Sequence, residues 1–220
     1  MFLLLISRIQ KNKHKYAIEM PIKKTKTYRR TRYLLYKETL IDFEEHFWSF
    51  IGSFVGLGLI CYLNYHYLSK YDLTLLIGSF GASSVLIYGN IGSPLAQPRN
   101  LFLGHIISAI VGVSSYKLLG DYLWIAAPLA VSVSIIGMQM AKALHPPGGA
   151  TALIAVTGGP SITNLGYEYV FSPVITGVFI LFLAALIFNN ITPKRQYPTK
   201  SFIVFKRILF NKKNQPYFKR

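Results

Sequence analysis

Between Lys142 and Gly159 the chain reads KALHPPGGATALIAVTGG. Two prolines and two glycines follow a histidine inside an oily stretch, and that order has a chemical consequence. Pro146 and Pro147 stop a preceding helix from running on. They suit the first turn of a new helix, where the N–H that proline lacks would have no partner. The new helix then begins near Gly148, Gly149, Ala150 and Thr151. The first amides of a helix lack intrahelical partners and sit at the positive end of its dipole. Glycine lets a ligand come close to the backbone, so such an end suits an anion. Thr151 adds a hydroxyl. His145 and Lys142, just before the helix, supply the field and the gate.

A second stretch carries similar parts. In GSFGASS, Gly81, Ser83 and Ser84 form the matching cradle, and QPRN brings Gln97, Arg99 and Asn100 close in sequence. His105 follows Arg99 by about a turn and a half. Two helix starts facing each other near mid-membrane would make an anion-selective constriction. Arg99 is then the charge an incoming anion meets first, with Lys142, His105 and Gln97 at the gate. Plainer roles stand beside these. The glycines and serines also permit close helix packing, and Arg99 and Lys142 also suit the lipid interface. His105 also serves as a hydrogen-bonded bundle residue, and His145 as a partner for a neighbouring backbone carbonyl.

The elements that must hold these residues are membrane spans. Just over half of the 220 residues are hydrophobic, and the formal charge is +16. Eleven Lys and Arg lie in residues 1–40 and nine in 194–220, leaving Lys70, Arg99, Lys117 and Lys142 between. A nucleic-acid binder spreads its basic residues over a folded face. An almost uncharged middle between two basic tails instead describes an integral membrane protein with its ends on the cytoplasmic, matrix or stromal side. The opening MFLLLISRIQ is too short to span, and the N-terminal segment reads equally as a transit segment, a tail or a surface arm. The lone Cys61 is read as a small apolar residue.

Four spans are predicted, at 47–68, 100–116, 122–141 and 173–191, with two short Gly-broken ones at 73–88 and 148–157. The fold class is an all-α integral membrane protein, divided into a basic tail (1–44), a transmembrane domain (45–192) and a second basic tail (193–220). The short stretches align at an offset of 68 residues, GASSVLI on GATALIA. Each half is then long span, short span, long span, which reads as an internal inverted repeat. With six crossings, Arg99 and Lys142 fall on the side of the tails, and Lys70, Asp72, Lys117, Asp121 and Glu168 on the other. With four crossings and re-entrant short stretches, Arg99 and Lys142 change sides. Six is the preferred count.

Enzyme chemistry finds little support: there is no carboxylate pair in the apolar region, no metal-ligand spacing and no nucleotide loop. No catalytic residue, metal or cofactor is expected. The motifs HPPGGATAL (145–153), GSFGASSVL (78–86) and SPLAQPRNLFLGHIISAIVGV (93–113) resemble the HPP family of integral membrane proteins, over roughly residues 45–190. The resemblance implies four transmembrane helices. Because plant members are implicated in nitrite transport into chloroplasts, it also makes nitrite the leading substrate. The expected function is a transporter or channel for a small anion. A glycine-rich packing surface suggests a homodimer. The rival readings are a non-transporting scaffold or assembly subunit in a larger membrane complex, and a channel for neutral solutes. The lipid bilayer is the expected partner in every case, and nucleic acid in none.

Overall fold

The computed structural model describes residues 43–68 and 74–199, and no strand occurs among them. The N-terminal tail expected at 1–44 lies outside them except for Phe43 and Glu44, as do Lys70 and Asp72. Helix α1 spans Phe43–Leu63 and continues through a wider π turn, Asn64–Leu68. Helix α2, Ser79–Ser84, runs on through a π turn at Val85–Gly89. A 3-10 turn, Pro94–Ala96, precedes α3, Pro98–Leu119. Then come α4, Leu123–Met140, α5, Pro146–Thr157, and the short α6, Pro160–Thr163. A π turn, Val170–Ile175, leads into α7, Thr176–Phe188.

Four helical stretches are long and apolar enough to cross a bilayer: Phe43–Leu68, Pro98–Leu119, Leu123–Met140 and Val170–Phe188. They match the four predicted spans to within a few residues. The two short elements match as well, but Gly81 does not break the first of them. It sits inside α2, and the interruptions fall at the ends of that element. At 12 residues, α5 extends about 18 Å along its axis, short of ~30 Å of hydrocarbon.

Contacts between the helices give their directions. Gly52 and Gly56 on α1 lie against Tyr88, and Ser49 Oγ donates to Tyr88 O, while Asn64 Oδ1 accepts from Leu75 and Leu76 N. Residues 75–88 therefore run back along α1. Arg99, at the start of α3, reaches Ala141 O beyond the end of α4, so α3 and α4 are antiparallel. Gly104 faces His145 and Gly112 faces Ala152 and Ala155, so α3 and α5 are parallel. Gly52 meets Phe188 and Gly56 meets Ala184, so α7 is antiparallel to α1. Leaving aside the four-residue α6, the chain thus reverses at each helix, including α2 and α5.

Small residues on α3 hold this arrangement close. A Cβ on Gly112 would lie 2.6 Å from Ala152 O and 2.7 Å from the Ala155 Cβ. The small-residue stripe Gly104–Ser108–Gly112 is therefore the seat of α5. Beyond α7 the chain folds back on the bundle. Arg195, its side chain buried, donates to Glu45 Oε2 at 2.8 Å, Tyr88 O at 2.7 Å and Asn189 Oδ1 at 2.8 Å. Tyr197, also buried, donates its hydroxyl to Ala96 O. The boundary expected between 192 and 193 falls next to this packed segment, which joins the bundle instead of leaving it as tail.

Candidate functional site

The centre of the site is built from α2, α3 and α5. Ser83 Oγ lies 2.8 Å from His105 Nε2 and 3.0 Å from His145 Nε2. Thr151 Oγ1 lies 2.7 Å from His105 Nδ1, and His145 Nδ1 donates to Leu95 O at 2.8 Å. All four side chains have zero solvent exposure. The two imidazole centroids are 4.9 Å apart, and the Phe80 ring stands edge-on to His105. Tyr169 donates its hydroxyl to Thr151 O at 3.1 Å.

Local sequence explains how each part is positioned. His145 caps α5 with extended backbone (φ −139, ψ 102), and Pro146 and Pro147 form its first turn. Gly104 has no side chain, and the His145 Cβ occupies that space. His105, one residue further along α3, then meets His145 side by side. Ser83 reaches both rings from α2.

The structure brings together four of the predicted site residues, Ser83, His105, His145 and Thr151, and disperses the others. Gly148 is buried under α3 and α4, where a Cβ would meet Ser108 Oγ, Gly104 O and Met138 Sδ. Gly149 and Ala150 are half-buried, and a Cβ on Gly149 would meet Val131 of α4. Gly81 lies on the exposed face of α2 with open space beside it. Ser84 and its neighbour Ser79 are buried with no hydrogen-bond partner on either hydroxyl. Gln97 staples its own loop, donating to Ile91 O and Ser93 O and accepting from Thr199 N. Arg99 and Lys142 are exposed at the end of the bundle that holds Arg195.

Two features of the expected anion cradle differ in the structure. The helix starts were expected to face each other, but α2 and α5 lie side by side and antiparallel. Gly78 stands beside Ile154, and Ser83 beside His145. The amides at the start of α5 are also fewer than expected. Pro146 and Pro147 have none, and Gly148 N donates to His145 O at 2.8 Å. The prolines that start the helix thus remove donors from its end. The polar character of the site comes from side chains.

Sequence reading did not anticipate Leu95 O, Tyr169, Arg195 or Tyr197. Pro94 and Pro98 break the chain on either side of Leu95, but nothing in them indicates that Leu95 lends its carbonyl to a histidine 50 residues away. Among the described residues, no three His, Cys, Asp or Glu side chains converge as a metal site would require.

Polar groups gathered inside an apolar helical bundle, with short helices beside long ones, define a polytopic α-helical membrane protein with an internal polar site. The model of the HPP transmembrane region matches residues 38–198, and the chain belongs to that family. Two transmembrane proteins of Dictyostelium discoideum are similar to it. One is 47% identical over 161 residues, covering 71% of this chain and 51% of its own length. The other is 44% identical over 161 residues, covering 71% of this chain and 56% of its own length. The chain spans about half the length of these curated relatives. No solved structure matches it.

Proposed function

We propose that the chain carries a small anion across its membrane, as a transporter or channel and not as an enzyme, with nitrite the leading candidate. The observation that supports this is the buried Ser83–His105–His145–Thr151 cluster, set between two half-length antiparallel helices inside an apolar bundle. Ionisable side chains at membrane depth are costly and mark solute paths, and short helices beside such sites are common in transporters. The unbonded hydroxyls of Ser79 and Ser84, on the helix that carries Ser83, are further donors for an anion.

The inverted repeat fits this reading. Ser83 and Thr151 are equivalent under the 68-residue offset, α2 and α5 run in opposite directions, and the two hydroxyls sit at the two ring nitrogens of His105. The homodimer reading draws on the exposed small residues Gly81 and Ala82 of α2 and on Gly78 just before it. Both tails are proposed to lie on the cytoplasmic, matrix or stromal side.

The test is anion uptake into proteoliposomes. Arg99→Gln is expected to slow uptake, and Ser83→Ala and His145→Gln to reduce it by at least tenfold. Wild-type rates in all three variants would defeat the proposal. One observation favours the scaffold reading: each hydrogen-bonding atom of the four clustered side chains already has a partner, as in a purely structural polar core. An anion-dependent rise in thermal stability supports transport. A stable bound partner without that rise supports the scaffold.

A further inference from the structure

The hydrogen bonds through the histidine pair can be followed proton by proton. Leu95 O can only accept, so His145 Nδ1, at 2.8 Å, carries a proton. A neutral His145 then has a lone pair at Nε2, and the Ser83 hydroxyl donates to it. Ser83 has no second proton, so His105 Nε2–H donates to Ser83 Oγ. That leaves a lone pair at His105 Nδ1, and the Thr151 hydroxyl donates to it. Four protons fill four bonds in one direction, from Thr151 to Leu95. One acceptor stands ready beyond them: Pro147 O, 3.4 Å from Thr151 Oγ1.

We propose that this chain is a binding site for one additional proton, shared by His105 and His145 across the Ser83 hydroxyl. We further propose that this proton is the positive charge that accompanies a monovalent anion through the bundle, a step that rests on the anion-transport reading. When the proton binds His105 Nδ1, that N–H donates to Thr151 Oγ1, and the Thr151 hydroxyl turns to Pro147 O. The charge then crosses in two coupled hops. His105 Nε2–H passes its proton to Ser83 Oγ, while Ser83 passes its own to His145 Nε2. Each donor keeps an acceptor before and after, so no side chain needs to move. A second proton does not fit. Both Nε2–H groups would then point at Ser83 Oγ, the Ser83 proton would lose its acceptor, and two like charges would sit in a low dielectric.

The surroundings supply no counter-charge. On α3, Arg99 is exposed and bonded to Ala141 O, and Lys117 lies over the Tyr167 ring at the opposite end. Helix α4 has no ionisable side chain, α2 with its π turn has only the Tyr88 phenol, and Lys142 is exposed. The phenols of Tyr88, Tyr169 and Tyr197 donate to the carbonyls of Leu181, Thr151 and Ala96. The described acids lie away from the pair: Glu44 and Glu45 in the first turn of α1, Asp121 in the α3–α4 turn and Glu168 before the last π turn. A lone charge buried in such a site is costly. A proton and a monovalent anion entering together leave the interior neutral, which sets a one-to-one ratio.

The first measurement is nitrogen NMR of the full chain, labelled at histidine, from roughly pH 8 to pH 4 in detergent. Signals are assigned with His105→Gln and His145→Gln. In the wild type, both rings are expected to shift together with one midpoint, neither reaching the full imidazolium position. In Ser83→Ala the bridge is cut, and one ring is expected to take the whole shift. Two rings both reaching full imidazolium in the wild type, or neither changing, would overturn the shared-proton site. The second measurement is nitrite uptake driven by a pH gradient, taken above the rate in protein-free vesicles. It is expected to be insensitive to voltage and to accumulate about tenfold per pH unit. Shared titration without uptake keeps the proton site and removes the transport reading. Voltage-driven uptake without shared titration removes the proton site and keeps transport.

Discussion

Lys142 sits in the left-handed region, with φ 51, just past the end of α4. Ala143 N bonds to Met138 O at 2.8 Å and Lys142 N to Gln139 O at 3.0 Å. That pair of bonds is a Schellman cap, whose left-handed position is usually glycine because a Cβ is strained there. The cap reverses the chain so that His145 can return beneath α3. Two roles for Lys142 can therefore be separated. Lys142→Gly relieves the strain and is expected to raise thermal stability by about 1 kcal/mol; a fall would show that the side chain itself stabilises the turn. If uptake falls in the same variant, the charge takes part in transport. His145 shows a similar overlap of roles. It bonds a backbone carbonyl, as its plainer sequence reading had it, and it also joins the cluster.

At the scale of elements, the long helices were legible because a run of about 20 apolar residues satisfies its own backbone and has the length of the bilayer. Of the short ones, α5 was legible from Pro146 and Pro147, whereas Gly81, expected to break α2, lies inside it; the mutual placement of the two was not legible. HPPGG indicates where α5 begins and leaves open what lies beside it. That was decided by the glycine faces of α3, which admit α5 closely enough for Thr151 to reach His105. Gly112→Ala tests this. The added methyl meets backbone as well as side chain, so a loss of about 1–3 kcal/mol is expected for an overpacked interface, with His105 ring signals displaced. An unchanged melting temperature would mean that α3 and α5 can separate without cost.

At the scale of the whole molecule, Arg195 ties the beginning of α1, the end of the α2 π turn and the end of α7 together. Its neighbour Lys194 pairs with Glu44 at 3.0 Å, so the last described residues close one end of the bundle. Arg99 and Lys142 lie at this end, and Lys117, Asp121 and Glu168 at the other. Single cysteines in a Cys61→Ser background check this arrangement with an impermeant maleimide. Lys142→Cys is expected to react from one side of the membrane and Glu168→Cys from the other, and reaction of both from the same side would refute it. The sequence by itself determined which segments are apolar enough for lipid, where the charges gather and where the helices break, because each of these is a local sum along the chain. Only the tertiary structure decided that Ser83, His105, His145 and Thr151 meet, that the short helices lie antiparallel and that Arg195 is a clasp and not part of a tail. Apart from Asn189, six residues from Arg195, those partners are 22 to 150 residues apart, and helix packing, not local composition, chooses which distant polar groups satisfy one another.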